Sequence, residues 1–276
     1  MVSYWPLDVV EGTKTPDIIS GYDMNLDGLT AADLVTGHAG KCFLFDNARK
    51  TMLKRVNSPG EKLPIYNHTA FTVSLWVNGP AQGDHRVFSE SSSKANNPLF
   101  NLGTHNSGSD GTLDTYIRND SGTTTGDHHH HIGVPFDDTW HHICYIQDSN
   151  AVTKAVVYID GIKDDLNPDP IWPMTVDTTT IGGIQRAAAA AWFTGMIDDV
   201  RIWSRARTAS EISGAMSTLF TGNEAGLVAY LRFDDGGSAV DGGIAATDST
   251  QRQDWLNQWT RSGRLGTGAA MVAAPA

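Results

Sequence analysis

The sequence predicts an all-β protein, a sandwich of two antiparallel sheets with one short surface helix. Three observations carry that expectation. With 28 glycines and 11 prolines among 276 residues, many short Thr-, Val- and Ile-rich runs are closely punctuated, the composition of a turn-rich β protein. Phe71-Thr72-Val73-Ser74-Leu75-Trp76-Val77 alternates strictly, which puts Phe71, Val73, Leu75 and Val77 on one face of a half-buried strand and Trp76 on the other. Thr194 to Trp203 carries apolar residues on both parities, so neither face is freely solvated and the strand belongs at the centre of a sheet. Its adjacent acids, Asp198 and Asp199, are expected on opposite faces.

In chain order, Tyr4 to Asp8 reads as a short aromatic strand, followed by a polar loop from Gly12 to Gly28. Lys41 to Phe45 is a strand entered through Gly40. Arg86 to Ser89, Leu99 to Leu102 and Thr112 to Arg118 are weaker strands, too short to build separate cores, so their polar linkers are hairpin loops rather than domain boundaries. Trp140 to Gln147 and Thr153 to Ile159 form a hairpin, and Asp160-Gly161 supplies the tight turn after it. The proline-rich loop Asn167 to Pro173 leads to a strand, Thr178 to Ile181, and the alanine run of Ile184 to Ala191 reads as a short helical turn or packed loop. Thr208-Ala209-Ser210-Glu211 has the spacing of a capping box, which starts a helix from Ala209 to about Ser217. Tyr4-Trp5-Pro6-Leu7-Asp8 echoes Tyr230-Leu231-Arg232-Phe233-Asp234, as two neighbouring strands of one domain would. Residues 1–248 are read as that domain and 249–276 as a tail or arm that packs on the body or on a partner.

Composition narrows the partners. A formal charge of −11 argues against a phosphate-tracking surface and hence against nucleic acid. No apolar run approaches the roughly 20 residues that span a bilayer, and Met1 to Pro6 lacks the basic and apolar regions of a signal peptide. Two cysteines, Cys42 and Cys144, are too few for a disulfide scaffold and are expected to pack as small apolar residues.

The order of signals resembles a known family. Tyr4 to Asp8, Asp17 to Gly28, Gly40 to Asp46, Phe71 to Val77, Trp140-His141-His142-Ile143, Val157 to Gly161, Ile181-Gly182-Gly183, Gly195 to Trp203 and Glu211-Ile212 are similar to the laminin-G-like jelly rolls of the concanavalin-A-like lectin/glucanase superfamily. The resemblance covers about residues 3 to 235 and implies two antiparallel sheets packed face to face. Pentraxins are related to this group, and Phe71 to Ser74 with His142-Ile143-Cys144 resembles their two disulfide-joined strands. Here Ser74 stands at the first position, which implies a free, buried Cys144.

Asp17, Gly21, Asp23, Asn25 and Asp27 offer hard oxygen ligands at alternating positions, the chemistry that calcium takes. Asp23 to Gly28 matches the start of an EF-hand loop, but Leu34 occupies the place of the bidentate acid. Similarity to calcium-bearing laminin-G-like members implies a site of Asp17 and the Gly21 carbonyl, joined across the fold by Asp198, with Asx-turns and caps as the alternative use of these acids. In the run His128 to His131, His128 and His130 would share a side of an extended loop and suit a transition metal, as would nearby His141 or His142. No Cys or acidic spacing completes such a site, so a solvated loop is expected, while the resemblance makes His142 a packing position.

For sugar recognition the candidates are Trp172, held between prolines, and Trp192, beside Arg186 and the alanines. The Glu-x-Asp-x-x-Glu motif of the superfamily's glucanases is missing, and the acid pairs are adjacent rather than two apart. The expected function is therefore a non-catalytic recognition or adhesion module that binds a glycan or protein surface through rim loops around calcium, at a cell surface or outside the cell. The alternative is a structural protein on the exterior of an assembly such as a bacteriophage head or tail fibre, its tail giving a homo-oligomeric or anchoring contact. A glycoside hydrolase comes third.

Overall fold

The computed structural model describes residues 3–5, 10–17, 19–124, 128–148, 151, 154–164, 174–220, 222, 224–232, 239–241 and 244–246. Trp172 and the arm 249–276 lie outside the described residues. The first sheet has nine strands, along the path β1 (Ser3–Trp5), β19 (Leu227–Leu231), β18 (Gly195–Trp203), β7 (Ala70–Asn78), β12 (His141–Asp148), β13 (Ala155–Ile159) and β14 (Ile162–Lys163). There β5 (Lys41–Phe45) pairs with the first half of β18, and β4 (Leu34–Thr36) flanks it. The second sheet has eight strands, in the order β11 (His129–His130), β10 (Leu113–Arg118), β9 (Leu99–Thr104), β8 (Arg86–Ser91), β15 (Thr178–Ile181), β6 (Met52–Val56), β3 (Met24–Asp27) and β2 (Lys14–Thr15). Two small hairpins complete the strands: β16 (Ile184–Gln185) with β17 (Ala189–Ala190), and β20 (Ala239–Asp241) with β21 (Ile244–Ala246). The alanine run is thus a hairpin arm and not a helical turn.

Alternation builds the layer between the sheets. Phe71, Val73, Leu75 and Val77 of β7 point inward with Ile143, Tyr145, Ile197, Val200 and Ile202 from the same sheet, and meet Phe88, Phe100, Leu102, Leu113 and Ile117 from the other. Aromatic edges lock the centre, with Phe100 4.7 Å from Tyr145 and 5.1 Å from Tyr66 between ring centroids. Glu90 also points into this layer, opposite Phe100, and is fully buried. Its carboxylate accepts from Ile65 N and Tyr66 N, each at 2.8 Å, and from Thr179 Oγ1 at 3.1 Å. Burial nevertheless dominates and pushes its pKa up to about 7.

The echo between residues 4 and 230 is a parallel pair, with Tyr4 opposite Tyr230 and Trp5 opposite Leu231. Cys144 faces Ser74 across β12 and β7, and both cysteines are free and buried. The Cys144 thiol is held protonated by burial.

The aspartates of β18 depart from expectation. Asp198 faces Trp76 and Arg201 faces Ser74, so Asp199 and Val200 share the space opposite Leu75. This is a β-bulge, and Asp199 takes its left-handed residue with φ 52°. The extra residue puts Asp199 on the outer side, the side of Asp198, where its carboxylate grips both Arg201 Nε at 2.6 Å and Arg201 Nη2.

The outer face of the first sheet is roofed. The helix α1 (Ala209–Ala215) starts at the Thr208–Glu211 capping box and ends sooner than expected. Ile212 packs on Cys144 and Ile146, and Phe220 on Trp203 and Tyr230. Trp76 stacks on His38 at 3.6 Å and donates to the Met216 carbonyl at 3.2 Å. Thus β7 is covered on both faces rather than half-buried. The second sheet is left to offer an open face.

Candidate functional site

The calcium candidates are dispersed. Asp17 is fully buried, and its Oδ1 accepts from Tyr4 N at 2.9 Å, Ile19 N at 3.0 Å and Ser20 N at 3.3 Å, while Oδ2 accepts from Tyr22 N at 3.2 Å. Gly21 closes this turn with φ 67° and Asp23 caps it through Asp17 N at 3.3 Å. Asn25 and Asp27 project from β3 on the outer face of the second sheet, where Lys54 pairs with Asp27 at 2.5 Å. Asp198 instead binds Ala39 N at 3.0 Å. It stands two strands inward from β1, about 10 Å across the sheet. The structure thus does not bring Asp17 and Asp198 together: the Asp17 oxygens accept from main-chain donors, and Asp198 binds elsewhere in the sheet. Asp17 and Asp23 serve the turn of residues 17–23.

A different set of residues converges on the outer face of the second sheet. Along β10, Leu113, Thr115 and Ile117 enter the core, so Asp114, Tyr116 and Arg118 face outward. Next to them Asn101 faces Tyr116 from β9, and Arg86 faces Gly103 from β8. A Cβ on Gly103 would stand 2.0 Å from the His85 carbonyl and 3.0 Å from Arg86 Cδ, so glycine lets the Arg86 stem lie flat across β9. Arg86 Nη2 meets Asp84 at 2.5 Å, and Asn101, in the amide orientation that satisfies its neighbours, accepts from Arg86 Nε at 3.2 Å. Arg118 Nη2 donates to the Asn96 carbonyl at 3.0 Å, and its guanidinium lies 5.3 Å from the Tyr116 ring centroid.

The β16–β17 hairpin brings Arg186 over this strip. Its anchor is a set of hydrogen bonds to the sheet below, from Ser91 Oγ to the Gln185 carbonyl, from Thr180 Oγ1 to the Gly183 carbonyl at 2.8 Å, and from Lys54 Nζ to Gln185 Oε1 at 3.3 Å. Burial lowers the Arg186 pKa, and the charges of Arg118 and Arg86 lower it further. Three guanidinium groups therefore share one field on a chain whose net charge is −11. Arg118 Nε and Arg186 Nε are both buried without a hydrogen-bond partner. Trp192, at the base of the same hairpin, is half-buried, bridges to the Arg86 backbone and lies 5.3 Å from Lys50 Nζ. Of the sugar-site candidates, Arg186 lies beside the strip, Trp192 sits at the base of its hairpin and Trp172 lies outside the described residues. Tyr116, Arg118 and Arg86 were not anticipated.

The histidine run carries the two-residue strand β11 rather than forming a solvated loop. His131 is buried, with Nε2 2.9 Å from Thr115 Oγ1 and Nδ1 3.2 Å from Asp164 Oδ1. Asp164 Oδ2 also accepts from Ile132 N at 2.9 Å and Gly133 N at 3.2 Å. This hydroxyl–imidazole–carboxylate chain has the connectivity of a nucleophilic triad. Thr115 is fully buried in the core layer, so the hydroxyl meets no substrate and the chain serves as a clamp on β11. The clamp leaves His128 beside Tyr116, their rings stacked at 3.9 Å, and His130 beside His105 at 3.7 Å. His142 packs edge-on against Trp76 at 5.4 Å, and burial drives its pKa down to about 3. His141 lies apart, between Asp137 at 3.1 Å and Asp160 at 2.7 Å.

Two face-to-face sheets, one roofed by α1 and the other carrying the arginine strip on its outer face, describe a lectin-like jelly roll. The sequence matches the laminin-G family description over residues 54–213, and the chain belongs to the concanavalin A-like lectin/glucanases superfamily. A solved Bacteroides ovatus protein, described as a candidate carbohydrate binding protein, is 20% identical with a TM-score of 0.50, over 76% of this chain and 55% of that one. Trypanosoma rangeli sialidase, solved with sialic acid, is 14% identical with a TM-score of 0.55, over 76% of this chain and 31% of that one. A SAP-like pentraxin from Limulus polyphemus is 16% identical with a TM-score of 0.44, over 66% of this chain and 84% of that one. The first two likenesses concern the fold, and the chain spans about half or less of the length of those two proteins. No curated protein sequence matches it.

Proposed function

We propose that the chain is a non-catalytic carbohydrate-binding module that holds a carboxylate-bearing glycan in the groove between the β16–β17 hairpin and strands β10 and β11. The observation that carries this reading is the pair of buried, unpartnered Nε–H groups on Arg118 and Arg186, next to the half-buried ring of Tyr116. A buried donor without an acceptor costs roughly 1–3 kcal/mol, and a ligand oxygen would relieve that cost. Guanidinium is the group best matched to a planar carboxylate, because its parallel N–H bonds fit two oxygens at once. Tyr116 supplies an aromatic edge for a sugar ring. The Bacteroides ovatus protein's description agrees with this in kind. Hydrolysis is disfavoured by the groove's own acids, since Asp84 is paired with Arg86 and Asp114 with His128 rather than with each other.

The test is a calorimetric titration of oligouronates into the full chain and into Arg118→Ala and Arg186→Ala. Losing one charge-assisted bond of about 1.5–3 kcal/mol weakens binding roughly 10- to 150-fold. Equal affinity in all three proteins would overturn the assignment of the groove.

A further inference from the structure

We propose that Asp114, His128 and His130 form a binding site for a divalent first-row transition metal ion. The sequence conceals it because the acid comes from another strand. Asp114 and His130 are directly opposite in the β10–β11 register, and His128 lies two residues before His130 on the same side. Asp114 belongs to β10, with 13 residues of intervening chain before His128. The candidate ligand atoms of the three residues all lie within 4.8 Å of one another.

Two further observations point to an ion. Asp114 is 1% exposed, and its Oδ1 has no hydrogen-bond partner although its Oδ2 lies 2.5 Å from His128 Nδ1. A carboxylate oxygen buried without a donor is expensive, and a cation at this corner would satisfy it. Next, His130 Nε2 lies 2.7 Å from Asn106 Oδ1, the kind of outer hydrogen bond that fixes the ring and tautomer of a metal-ligating histidine. The other ring nitrogen of His130 then remains for the ion.

The geometry asks for movements of about 1.5 Å or less. Ligand atoms about 2.0–2.1 Å from a tetrahedral ion are about 3.3 Å apart, so the Asp114–His128 hydrogen bond opens by less than 1 Å and gives up its proton. Two imidazoles and one carboxylate suit zinc, cobalt, nickel, copper or ferrous iron, and not calcium or magnesium, which prefer all-oxygen shells. Three protein ligands leave a fourth position for water or a ligand group. The proposal stands whether or not the neighbouring groove binds a glycan.

The experiment uses the full chain without an affinity tag, titrated with Co2+ and followed by its visible absorption, then with Zn2+ in competition. One equivalent of Co2+ should give visible bands that Zn2+ abolishes, and Zn2+ should raise the unfolding temperature. His130→Ala and Asp114→Asn should each weaken binding at least tenfold while keeping the circular dichroism of the parent, whereas His141→Ala should bind like the parent. Absence of stoichiometric uptake by the parent, or unchanged uptake in both His130→Ala and Asp114→Asn, would overturn the site. Should either variant lose its fold, His128→Gln supplies the same comparison.

Discussion

Arg201 holds the roof to the first sheet. It is 2% exposed, grips Asp199 with two nitrogens, donates to the Ala215 and Thr218 carbonyls at 2.7 and 2.6 Å, and lies 4.4 Å from the Phe220 ring centroid. Arg201→Met would take from the buried Asp199 carboxylate the guanidinium that grips it, for a loss of about 3–5 kcal/mol in chemical denaturation. Adding Asp199→Gly should recover part of it, since glycine accepts the left-handed φ and carries no charge. A double variant no more stable than the single one would contradict this view of the pair. Glu90 gives a pH signature. Its folded pKa of about 7 lies above the ordinary carboxylate value, so its contribution to stability is complete below about 4.5 and is lost as pH rises through about 7. The melting temperature of the parent should therefore fall relative to that of Glu90→Gln as pH rises from 5 to 8, because only the parent loses this contribution. A constant gap would refute it. At this scale the sequence was partly legible. Cys144 opposite Ser74 could be read through the resemblance of these two strands to the disulfide-joined pair of pentraxins. Asp199 could not, because a bulge is defined by counting against a partner strand, and parity alone sends it to the wrong face.

The β11 strand shows how a short element is set by its contacts. Two residues pair with β10, and the Thr115–His131–Asp164 chain fixes their register. Asp164→Ala would leave Ile132 N, Gly133 N and His131 Nδ1 without their acceptor, which costs about 2–5 kcal/mol in a site this buried. Amide exchange should accelerate first in residues 129–133, and uniform acceleration across the chain would argue against a local clamp. The capping box of α1 was legible because its chemistry is confined to four consecutive residues. The β16–β17 hairpin was misread because alanine favours helix intrinsically, whereas the anchoring bonds from Ser91 and Thr180 are long-range. For the same reason the histidine run looked unable to complete a metal set while its acid waited on the adjacent strand.

For the whole molecule, the jelly roll was readable because strands such as β7 alternate and the family motifs follow in order along one chain. The groove was not readable. Arg86, Arg118 and Arg186 come from three separate segments, and sheet order together with the hairpin's fold brings their charges together. One sheet face is closed by α1 and its flanks, and the other carries the arginines on an otherwise acidic protein. The most direct measurement of the central claim compares an oligouronate with its carboxyl-reduced neutral counterpart, titrated calorimetrically into the full chain at low and physiological salt. The account predicts that the acidic glycan binds at least tenfold more tightly, that salt narrows the margin, and that Arg186→Ala removes most of it. Equal affinity for the two glycans, or a preference for the acidic one that survives Arg186→Ala intact, would contradict it.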